Sequence, residues 1–437
     1  MDFGIILIYV MSYFGLFTGI YFLLTLFENK NKIKKNLPFN FNFPSVSIIV
    51  PAFNEEKTIA KTLKSLLNLN YPKDKLQIIV VDDGSTDKTY KIAFEIKKRY
   101  KAKNLEIYKK ENGGKGTALN YGLKKAKGYF VGALDADSFV DKNALLNILP
   151  YFYIKDYKHK LIENKKVMAV TPSLKVYEPK SILQRIQMIE YMIGIFLRKV
   201  FSFLGSIHVT PGPFTIYRKE FFEKYGYYDE NNITEDIEIA LRIQKNNFEI
   251  ENSINAYVYT VAPYNFKPLL NQRLRWYLGF IENVLNYKEL FSPKQGNLGL
   301  IVLPSAFISV FLLIVMFFYT LYKFFETTIK NLINYYNINF DLLKIFKINT
   351  DLFYINLNGY ILISFITLII SLVILIISSK ISKENINIKR NYLLYILFYW
   401  MLFSIWWLYA IFAKIFGKNI TWGKKKYEKQ KSISEGN

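Results

Sequence analysis

Two acidic residues of this sequence stand at a spacing that suits a metal ion. Asp135 and Asp137 lie two residues apart in ALDADSF, residues 133–139, where a short apolar run gives way to a loop. Two carboxylates so placed can hold a hard divalent cation that keeps coordination positions free for phosphate oxygens. The pair alone is weak evidence, but it predicts a diphosphate site with Mg²⁺ or Mn²⁺.

Two more loops carry residues that suit a nucleotide. In VVDDGSTD, residues 80–87, Asp82 and Asp83 could accept hydrogen bonds from a nucleobase, or they could form a turn that caps a helix. In NGGKGTALNYG, residues 112–122, the glycines let backbone amides approach an anion and Lys115 adds a positive charge. This order of Gly and Lys is not that of a Walker loop. Taken together, the three loops favour a nucleoside diphosphate as ligand.

The elements that must position these loops indicate an α/β domain over residues 44–291. Apolar runs typical of strands occur at 45–50, 76–81, 129–135 and 167–172, and helical patterns occur at 55–68 and 87–100. This alternation of strands and helices predicts a mostly parallel sheet. Open sheets of this kind bind ligands at the carboxyl ends of their strands, which is where the loops lie.

Apolar segments on both sides of the domain predict that it is inserted between transmembrane helices. The chain divides into a first helix at 1–28, the α/β domain, three helices within 298–416 and a basic tail at 417–437. The apolar segments themselves are 3–27, 298–322, 358–379 and 392–416, and each is long enough to cross a bilayer. Lys30, Lys32, Lys34 and Lys35 follow the first segment, and the positive-inside rule then places the domain in the cytosol.

The number of crossings conflicts with the charges of the tail. The link at 380–391 is basic and belongs in the cytosol by the same rule, so a further crossing would leave the tail outside. Lys424, Lys425 and Lys426 favour the inside instead. Either one segment does not cross the membrane or the tail breaks the rule.

Two stretches within the domain, 182–204 and 268–291, are apolar with charged residues spaced along them. This pattern predicts amphipathic helices that lie in the membrane interface. Two ordinary helices that cover the sheet are the alternative. The interface is favoured because a spanning segment follows the second stretch directly.

The composition narrows the possible chemistry. The 437 residues include no cysteine and two distant histidines, His159 and His208, which excludes disulfides, thiolate chemistry and multi-histidine metal sites. Any metal must therefore be held by carboxylate oxygens. The net charge of +23 suits an anionic substrate or lipid headgroups, or it reflects compositional bias. Nucleic-acid binding is not expected, because the basic residues are scattered near apolar helices.

The motifs together resemble a known family. VPAFNEE (50–56), VVDDGSTD, GGKGTALN and DAD occur in an order similar to that of the nucleotide-sugar half of a family 2 glycosyltransferase. GPFTIYR (212–218), TED (234–236) and QRLRW (272–276) resemble its later segments. The QxxRW pattern is typical of the membrane-embedded, processive branch, which makes hyaluronan, cellulose, chitin and poly-N-acetylglucosamine. The resemblance implies a GT-A-like (Rossmann-like), mostly parallel sheet domain between transmembrane helices.

The resemblance also implies a role for each motif residue. The donor nucleotide and its diphosphate would be bound by Pro51, Phe53, Glu55, Asp82, Asp83, Lys115, Asp135, Gln272 and Arg275, with Asp135 and Asp137 at the metal. Asp236 is implied as the general base, with Glu235 as its rival. Gly212, Pro213 and Trp276 would face the acceptor sugar, although Trp276 could be an interfacial anchor.

The motifs assign no role to three other side chains. Trp406 and Trp407 could line a path for a glycan, or they could face lipid. His208 is expected to be a packed polar residue.

These roles agree with what sugar transfer requires. A departing nucleoside diphosphate needs its developing charge neutralised, and one carboxylate suffices to deprotonate the attacking hydroxyl. We therefore expect a metal-dependent, inverting glycosyltransferase of the plasma membrane that extends a β-linked polysaccharide from a nucleotide sugar, with UDP favoured, and could export the product. The expected partners are the donor, the glycan acceptor and the bilayer; no partner subunit is identified. The alternatives are transfer of one sugar to a polyprenyl phosphate and a transporter with a regulatory nucleotide-binding domain.

Overall fold

The structure, a computed structural model, describes residues 3–35, 41–155, 160–337, 359–384 and 388–416. The basic tail at 417–437, His159 and residues 338–358, which precede the third apolar helix, lie outside these ranges.

A mixed eight-stranded sheet forms the centre of the domain. Its strands are β1 Val46–Ala52, β2 Leu76–Asp82, β3 Leu105–Lys109, β4 Phe130–Ala133, β5 Ser138–Val140, β8 Val167–Val176, β9 Ile216–Arg218 and β10 Glu249–Thr260, while β6 Tyr153–Lys155 and β7 Leu161–Glu163 form a separate hairpin. The spatial order is β3, β2, β1, β4, β9, β8, β10, β5. The four strands predicted from sequence are confirmed as β1, β2, β4 and β8. The short strands β9 and β5 run antiparallel to their neighbours and make the sheet mixed.

Helices cover both faces of the sheet, as the apolar runs of β1 and β2 require. The two strands are buried almost throughout, which is typical of strands covered on both sides. One face packs against α2 Ile59–Leu67, α3 Thr89–Arg99 and α5 Ala144–Ile148. The other packs against α4 Lys115–Lys125, α7 Lys219–Tyr225 and α8 Glu235–Lys245.

The helices α2 and α3 begin later than the sequence pattern predicts, because the polar residues before them hold two loops together. The carboxamide oxygen of Asn54 accepts from the amide of Thr86 at 2.9 Å, and the carboxylate of Asp87 accepts from the amide of Glu56 at 3.1 Å. The amide of Glu55 donates to the hydroxyl of Thr89 at 2.7 Å. The loops after β1 and β2 therefore form one unit beside the site.

Two long helices lie between the sheet and the apolar segments. These are α6 Ile182–Phe203, which begins with a capping box of Ser181 and Gln184, and α9 Phe266–Asn286. Phe196 and Val200 of α6 pack against Leu23 of the first apolar helix, while the helix also contacts β8 and β10. The helix therefore covers the sheet and also contacts the apolar helices. Its location in a membrane interface stays a prediction.

Within the described ranges, four helices are long and apolar enough to cross a membrane. They are α1 Phe3–Glu28, α10 Leu303–Asn337, entered through a π-helical turn at Leu298–Val302, α11 Gly359–Ser382 and α12 Ile388–Ile415. Glycines allow α1 to approach its neighbours: Gly4 lies against the ring of Tyr319, and Gly19 lies against Ile370. Close approach through small residues is typical of helices packed in a bilayer.

Candidate active site

One large cavity lies between the sheet and the helices beneath it. Its volume is about 1100 Å³. Its walls include every site residue predicted from sequence except Asp82, namely Pro51, Phe53, Glu55, Asp83, Lys115, Asp135, Asp137, Gly212, Pro213, Glu235, Asp236, Gln272, Arg275 and Trp276. Residues that are more than 200 positions apart in the sequence therefore share one site.

Asp83 holds the glycine loop in place. Its carboxylate accepts from the backbone amides of Gly113 at 3.1 Å and Gly114 at 2.7 Å, and it pairs with the ammonium group of Lys110 at 2.5 Å. The start of α3 is satisfied instead by Asp87, which accepts from the amide of Thr89. Asp83 thus does not cap α3, and its carboxylate is bound by the glycine loop and Lys110.

Asp82 lies behind this loop and is fully buried, outside the cavity wall. Burial raises the pKa of its carboxyl. The structure thus separates Asp82 from the residues that reach the cavity.

Lys115 links two acidic groups that the sequence places far apart. It is the first residue of α4, directly after Gly114, whose φ of 95° suits a residue without a side chain. Its ammonium group lies 2.7 Å from a carboxylate oxygen of Asp135 and 2.9 Å from one of Glu235. Burial opposes its charge, but the two carboxylates outweigh burial and raise the pKa of Lys115. Lys115 therefore stays protonated and holds both carboxylates near the cavity.

Three carboxylates crowd the end of β4. Burial, together with repulsion from Asp135 and Glu55, raises the pKa of Asp137 to about 6. Burial and the charge of Asp135 likewise raise the pKa of Glu55, against a hydrogen bond from the hydroxyl of Thr58. Carboxylates that repel one another in this way are stabilised by a cation.

This cluster fits a divalent metal with Asp135 and Asp137 as its protein ligands. Within the described ranges no three Asp, Glu or His side chains form a ready-made metal-binding group. A metal held by this pair would therefore have to complete its coordination with oxygens from phosphate or water.

Glu235 and Asp236 lie in the first turn of α8, where the helix dipole favours negative charge. The hydroxyl of Thr210 donates to the backbone carbonyl of Asp236 at 2.7 Å and fixes this turn. Burial and the neighbouring Glu235 raise the pKa of Asp236 to about 6, while Lys115 and Arg275 act in the opposite direction. Asp236 therefore has a pKa suited to a base that works near neutral pH.

The helix α9 carries Gln272, Arg275 and Trp276 into the cavity and is locked against α8. A Cβ atom on Gly279 would lie 2.2 Å from the hydroxyl oxygen of Thr234, so the two elements touch at this glycine. One turn later, the buried carboxamide of Asn283 donates to that hydroxyl at 2.9 Å and to the carbonyl of Gly279 at 3.0 Å. Asn283 and Gly279 thus fix α9 relative to Glu235 and Asp236.

Comparison with known families decides what this site belongs to. A sequence profile described as "Glycosyl transferase family 2" matches residues 47–226, the part that carries Asp83, Lys115, Asp135 and Gly212. The chain contains a family 2 glycosyltransferase domain.

The chain is similar to two curated polysaccharide synthases. The poly-β-1,6-N-acetyl-D-glucosamine synthase of Staphylococcus epidermidis is 35% identical over 261 residues, which cover 59% of this chain and 60% of that protein. The synthase of the same name from Staphylococcus aureus strain COL is 32% identical over 288 residues, which cover 65% of this chain and 66% of that protein. The chain thus spans less than two thirds of the length of the first of these relatives.

A solved structure supports the fold of the glycosyltransferase domain. The mannosyltransferase PcManGT from Pyrobaculum calidifontis, solved with GDP-Man and Mn²⁺, superposes with a TM-score of 0.54 at 20% identity and covers 70% of this chain and 84% of that chain. The likeness concerns the fold alone. It confirms the predicted GT-A-like architecture, a curled mixed sheet with helices on both faces.

Sequence reasoning missed part of the wall of the glycosyltransferase cavity. Tyr191 and Arg198 reach it from α6, and His208, expected to be merely packed, also lines it. Burial lowers the pKa of Arg198 to about 10, and its charge is favoured by Tyr191 and Asp236. In the described part of the chain, no hydrogen bond or ion pair joins the guanidinium of Arg198 to another residue. Only the irregular charge spacing of residues 182–204 could have drawn attention to it.

Aromatic residues from the apolar helices close the membrane side of the cavity. Trp407 stacks on Tyr277 with ring centroids 4.6 Å apart and lies near Phe280, and both Trp407 and Phe307 line the cavity. Trp406 is buried with its ring 5.6 Å from the guanidinium carbon of Arg273. Both tryptophans therefore point into the protein, and Trp407 alone of the two lines the cavity.

Proposed function

We propose that this chain is a membrane glycosyltransferase that transfers a sugar, with inversion, from a nucleoside diphosphate sugar to a growing β-linked glycan. The main support for this proposal is that a single cavity contains three kinds of group. They are an acidic pair suited to a metal that binds a diphosphate, a carboxylate with a pKa of about 6, and the indole of a tryptophan. The curated relatives make poly-β-1,6-N-acetyl-D-glucosamine, which favours UDP-N-acetylglucosamine as donor.

On the donor side, the loops at the ends of β1 and β2 would hold the nucleotide. Pro51, Phe53 and Glu55 line the cavity from the end of β1 and the loop after it. Asp83 holds the glycine loop in place by accepting from its backbone amides. Asp135 and Asp137 would hold Mn²⁺ or Mg²⁺, which, when bound, supplies positive charge to the departing diphosphate. Lys115, Gln272 and Arg275 line the same cavity. The positive charges of the lysine and arginine and the amide group of the glutamine suit the phosphate oxygens.

Asp236 would act as the general base. With a pKa of about 6, its carboxyl is mostly ionised at neutral pH and can take the proton of the attacking sugar hydroxyl. Glu235 is the weaker choice, because its carboxylate is paired with Lys115 at 2.9 Å and is almost buried. One base and one displacement at the anomeric carbon invert its configuration.

On the acceptor side, Gly212, Pro213 and Trp276 would contact the glycan. The indole of Trp276 is half-buried and lines the cavity, where an aromatic ring suits the apolar face of a sugar ring. The guanidinium carbon of Arg273 lies 4.2 Å from the centroid of the indole. Gly212 keeps this wall close to the donor, since a Cβ atom there would lie 3.1 Å from the ammonium nitrogen of Lys115. Donor and acceptor would then meet beside Asp236.

The domain would face the cytosol from the plasma membrane. The four lysines after α1 are next to the domain, and Lys175 of the domain pairs with Glu384 in the basic link after α11. Both basic segments therefore lie on the domain side, which the positive-inside rule assigns to the cytosol. The aromatic wall at Tyr277 and Trp407 would then lie at the depth where a product enters the membrane.

A second acceptor class is favoured by Arg198. Its guanidinium lines the cavity near Asp236 without an ion-pair partner among the described residues, and an acceptor that carries phosphate would supply one. Transfer of a single sugar to a polyprenyl phosphate therefore stays the alternative.

Turnover by the purified full-length protein tests the proposal. Radiolabelled UDP-N-acetylglucosamine, UDP-glucose and UDP-glucuronic acid are supplied with Mn²⁺ or Mg²⁺, and the products are separated by size and analysed by mass spectrometry. We expect a labelled polymer from one donor. A single sugar on added polyprenyl phosphate would favour the alternative, and no transfer from any nucleotide sugar, with nucleotide binding absent, would refute both.

A further inference from the structure

The apolar helices differ in how they sit relative to the glycosyltransferase domain. Three of them, α1, α10 and α11, have one end at the domain and one end far from it. At the near end, the hydroxyl of Tyr21 donates to Asn297 just before α10 at 3.4 Å. At the far end, the rings of Phe3 and Tyr319 lie 5.7 Å apart, and those of Tyr9 and Tyr360 lie 6.4 Å apart. These three helices therefore define the direction that crosses the membrane.

The fourth apolar helix, α12, starts at the domain. The carboxylate of Glu384 lies 3.3 Å from the ammonium group of Lys175, a buried residue of β8. The ammonium group of Lys383 lies 5.9 Å from the ring of Tyr257 in β10. Because α12 begins at Ile388, four residues after Glu384, its first turn lies on the domain side.

The other end of α12 also lies at the domain. The ammonium group of Lys414 lies 2.9 Å from the carboxylate of Glu282, and Ala410 and Ala413 pack against Leu274. Glu282 and Leu274 belong to α9, and the next residue, Asn283, is bonded to Thr234 at the start of α8. The last turns of α12 are therefore held against the catalytic domain.

These contacts are incompatible with a crossing. A helix of 28 residues is about 42 Å long, more than the hydrocarbon core of a bilayer at about 30 Å. A crossing helix of that length would separate its ends by the whole bilayer, yet both ends of α12 contact domain-side residues. We propose that α12 lies along the domain-side leaflet and does not cross the membrane.

The two faces of α12 fit this placement. The inner face is buried and contains Ser404, Trp406, Trp407, Ala410 and Ala413. The outer face is apolar and exposed, with Leu397, Phe398, Met401, Ile405 and Phe412 at helical spacing. The partner of this outer face is the layer of acyl chains beneath the headgroups of the near leaflet, because α12 packs against α10, whose own exposed apolar residues enter that leaflet at the start of its crossing.

The placement resolves the conflict between crossings and charges. With three crossings, the residues after Phe416 begin on the domain side, and Lys424, Lys425 and Lys426 then obey the positive-inside rule. The placement also gives α12 a structural task, since Phe403 and Trp407 become a lateral wall of the cavity.

Cysteine labelling tests the proposal directly, because the chain has no cysteine of its own. Phe416→Cys reports the end of α12, Lys98→Cys on α3 reports the domain side, and Phe3→Cys reports the far side. Each variant is treated with a membrane-impermeant maleimide in sealed vesicles of both orientations. We expect Phe416→Cys to label together with Lys98→Cys; labelling together with Phe3→Cys would overturn the proposal.

A disulfide test covers the case in which lipid shields the thiol. Glu282→Cys with Lys414→Cys replaces the ion pair, and Phe3→Cys with Lys414→Cys is the matched control. In membranes treated with a mild oxidant, the first pair is expected to lose both free thiols and the control pair to keep them. Retention of both thiols by the first pair, in protein that elutes as a single species, would contradict the placement of α12.

Discussion

The two walls of the cavity are built in different ways. The sheet wall consists of loops at strand ends, and its carboxylates at Asp83, Asp135 and Asp137 sit in short motifs. The helix wall brings together α6, α9, α10 and α12, and it presents Arg198, Trp276 and Trp407. The carboxylates suited to a metal lie on the first wall, whereas most of the aromatic surface lies on the second. We therefore expect changes in the sheet wall to affect the donor, and changes at Arg198, Trp276 and Trp407 of the helix wall to affect the acceptor. Gln272 and Arg275 of α9 are the exception, because we propose that they contact the donor diphosphate from the helix wall.

Removal of the metal or its ligands is the largest expected effect on the sheet wall. Asp135→Asn combined with Asp137→Asn, or chelation of the wild type, is expected to lower transfer by about 10² to 10³-fold, the scale of a lost preorganised electrostatic contact. Initial rates with and without EDTA measure this, and Mn²⁺ should restore the chelated wild type but not the variant. Full activity after chelation would contradict the metal role.

The pH profile is the next largest effect and reports Asp236 and Asp137 together. Both pKa values are raised to about 6, so ionised carboxylates are lost as the pH falls through 6. The transfer rate, measured as kcat/KM between pH 5 and 8, should fall by about tenfold per pH unit below 6 if one group must be ionised. A flat profile down to pH 5 would show that neither carboxylate titrates in the working range.

Protonation of Asp137 and Asp236, which should slow transfer, should stabilise the fold. Because these carboxyls bind protons more tightly in the folded state, their ionisation destabilises the fold as the pH rises from about 4 to 6. Asp137→Asn is therefore expected to raise the thermal midpoint at pH 7. A lowered midpoint would indicate that the ionised form stabilises the fold.

The contact between α9 and α8 gives a smaller effect with a matched control. Gly279→Ala would force a Cβ atom against Thr234 and is expected to cost about 1 to 3 kcal/mol of stability and to slow transfer. Gly194→Ala on α6 meets no atom within 4 Å and should be neutral or slightly stabilising. Denaturation in detergent compares the two variants, and equal stability would show that α9 is not held by this contact.

Arg198 gives the smallest expected change and distinguishes the two acceptors. Arg198→Met should raise the acceptor KM a few-fold with little effect on donor KM, and Arg198→Lys should recover part of the loss. A much larger loss with polyprenyl phosphate than with a neutral oligosaccharide would support the lipid acceptor. An effect on donor KM alone would show that Arg198 contacts the donor and not the acceptor.

The difference between the walls also explains how far the sequence could predict them. The carboxylates at Asp135 and Asp137 belong to a contiguous motif after a strand, so strand periodicity and residue type suffice to place them. The bonds from Gly113 and Gly114 to Asp83 join loops some thirty residues apart, and neither sequence interpretation of Asp83 included them. The position of Arg198 depends on how α6 is rotated against the sheet, and that of Asn283 depends on the contact of α9 with α8. Tertiary packing sets both, and the apolar pattern of each helix is compatible with several rotations.

The helix ends show the same limit. The predicted start of α2 at residue 55 fails because Glu55 and Glu56 bond to the neighbouring loop at Thr89 and Asp87. The apolar content of α12 correctly indicates burial in an apolar setting, but hydropathy does not distinguish a helix that crosses the bilayer from one that lies along it.

The most direct test of the shared cavity is the Asp236→Asn variant measured for binding and transfer in the same preparation. The predicted result is unchanged affinity for UDP in the presence of Mn²⁺ and a loss of transfer by about 10² to 10⁴-fold, the size of one general base. Asp74→Asn, which changes an exposed carboxylate outside the cavity, is the matched control and should leave both UDP affinity and transfer unchanged. Transfer by Asp236→Asn at the wild-type rate would contradict the central claim that this carboxylate lies between donor and acceptor.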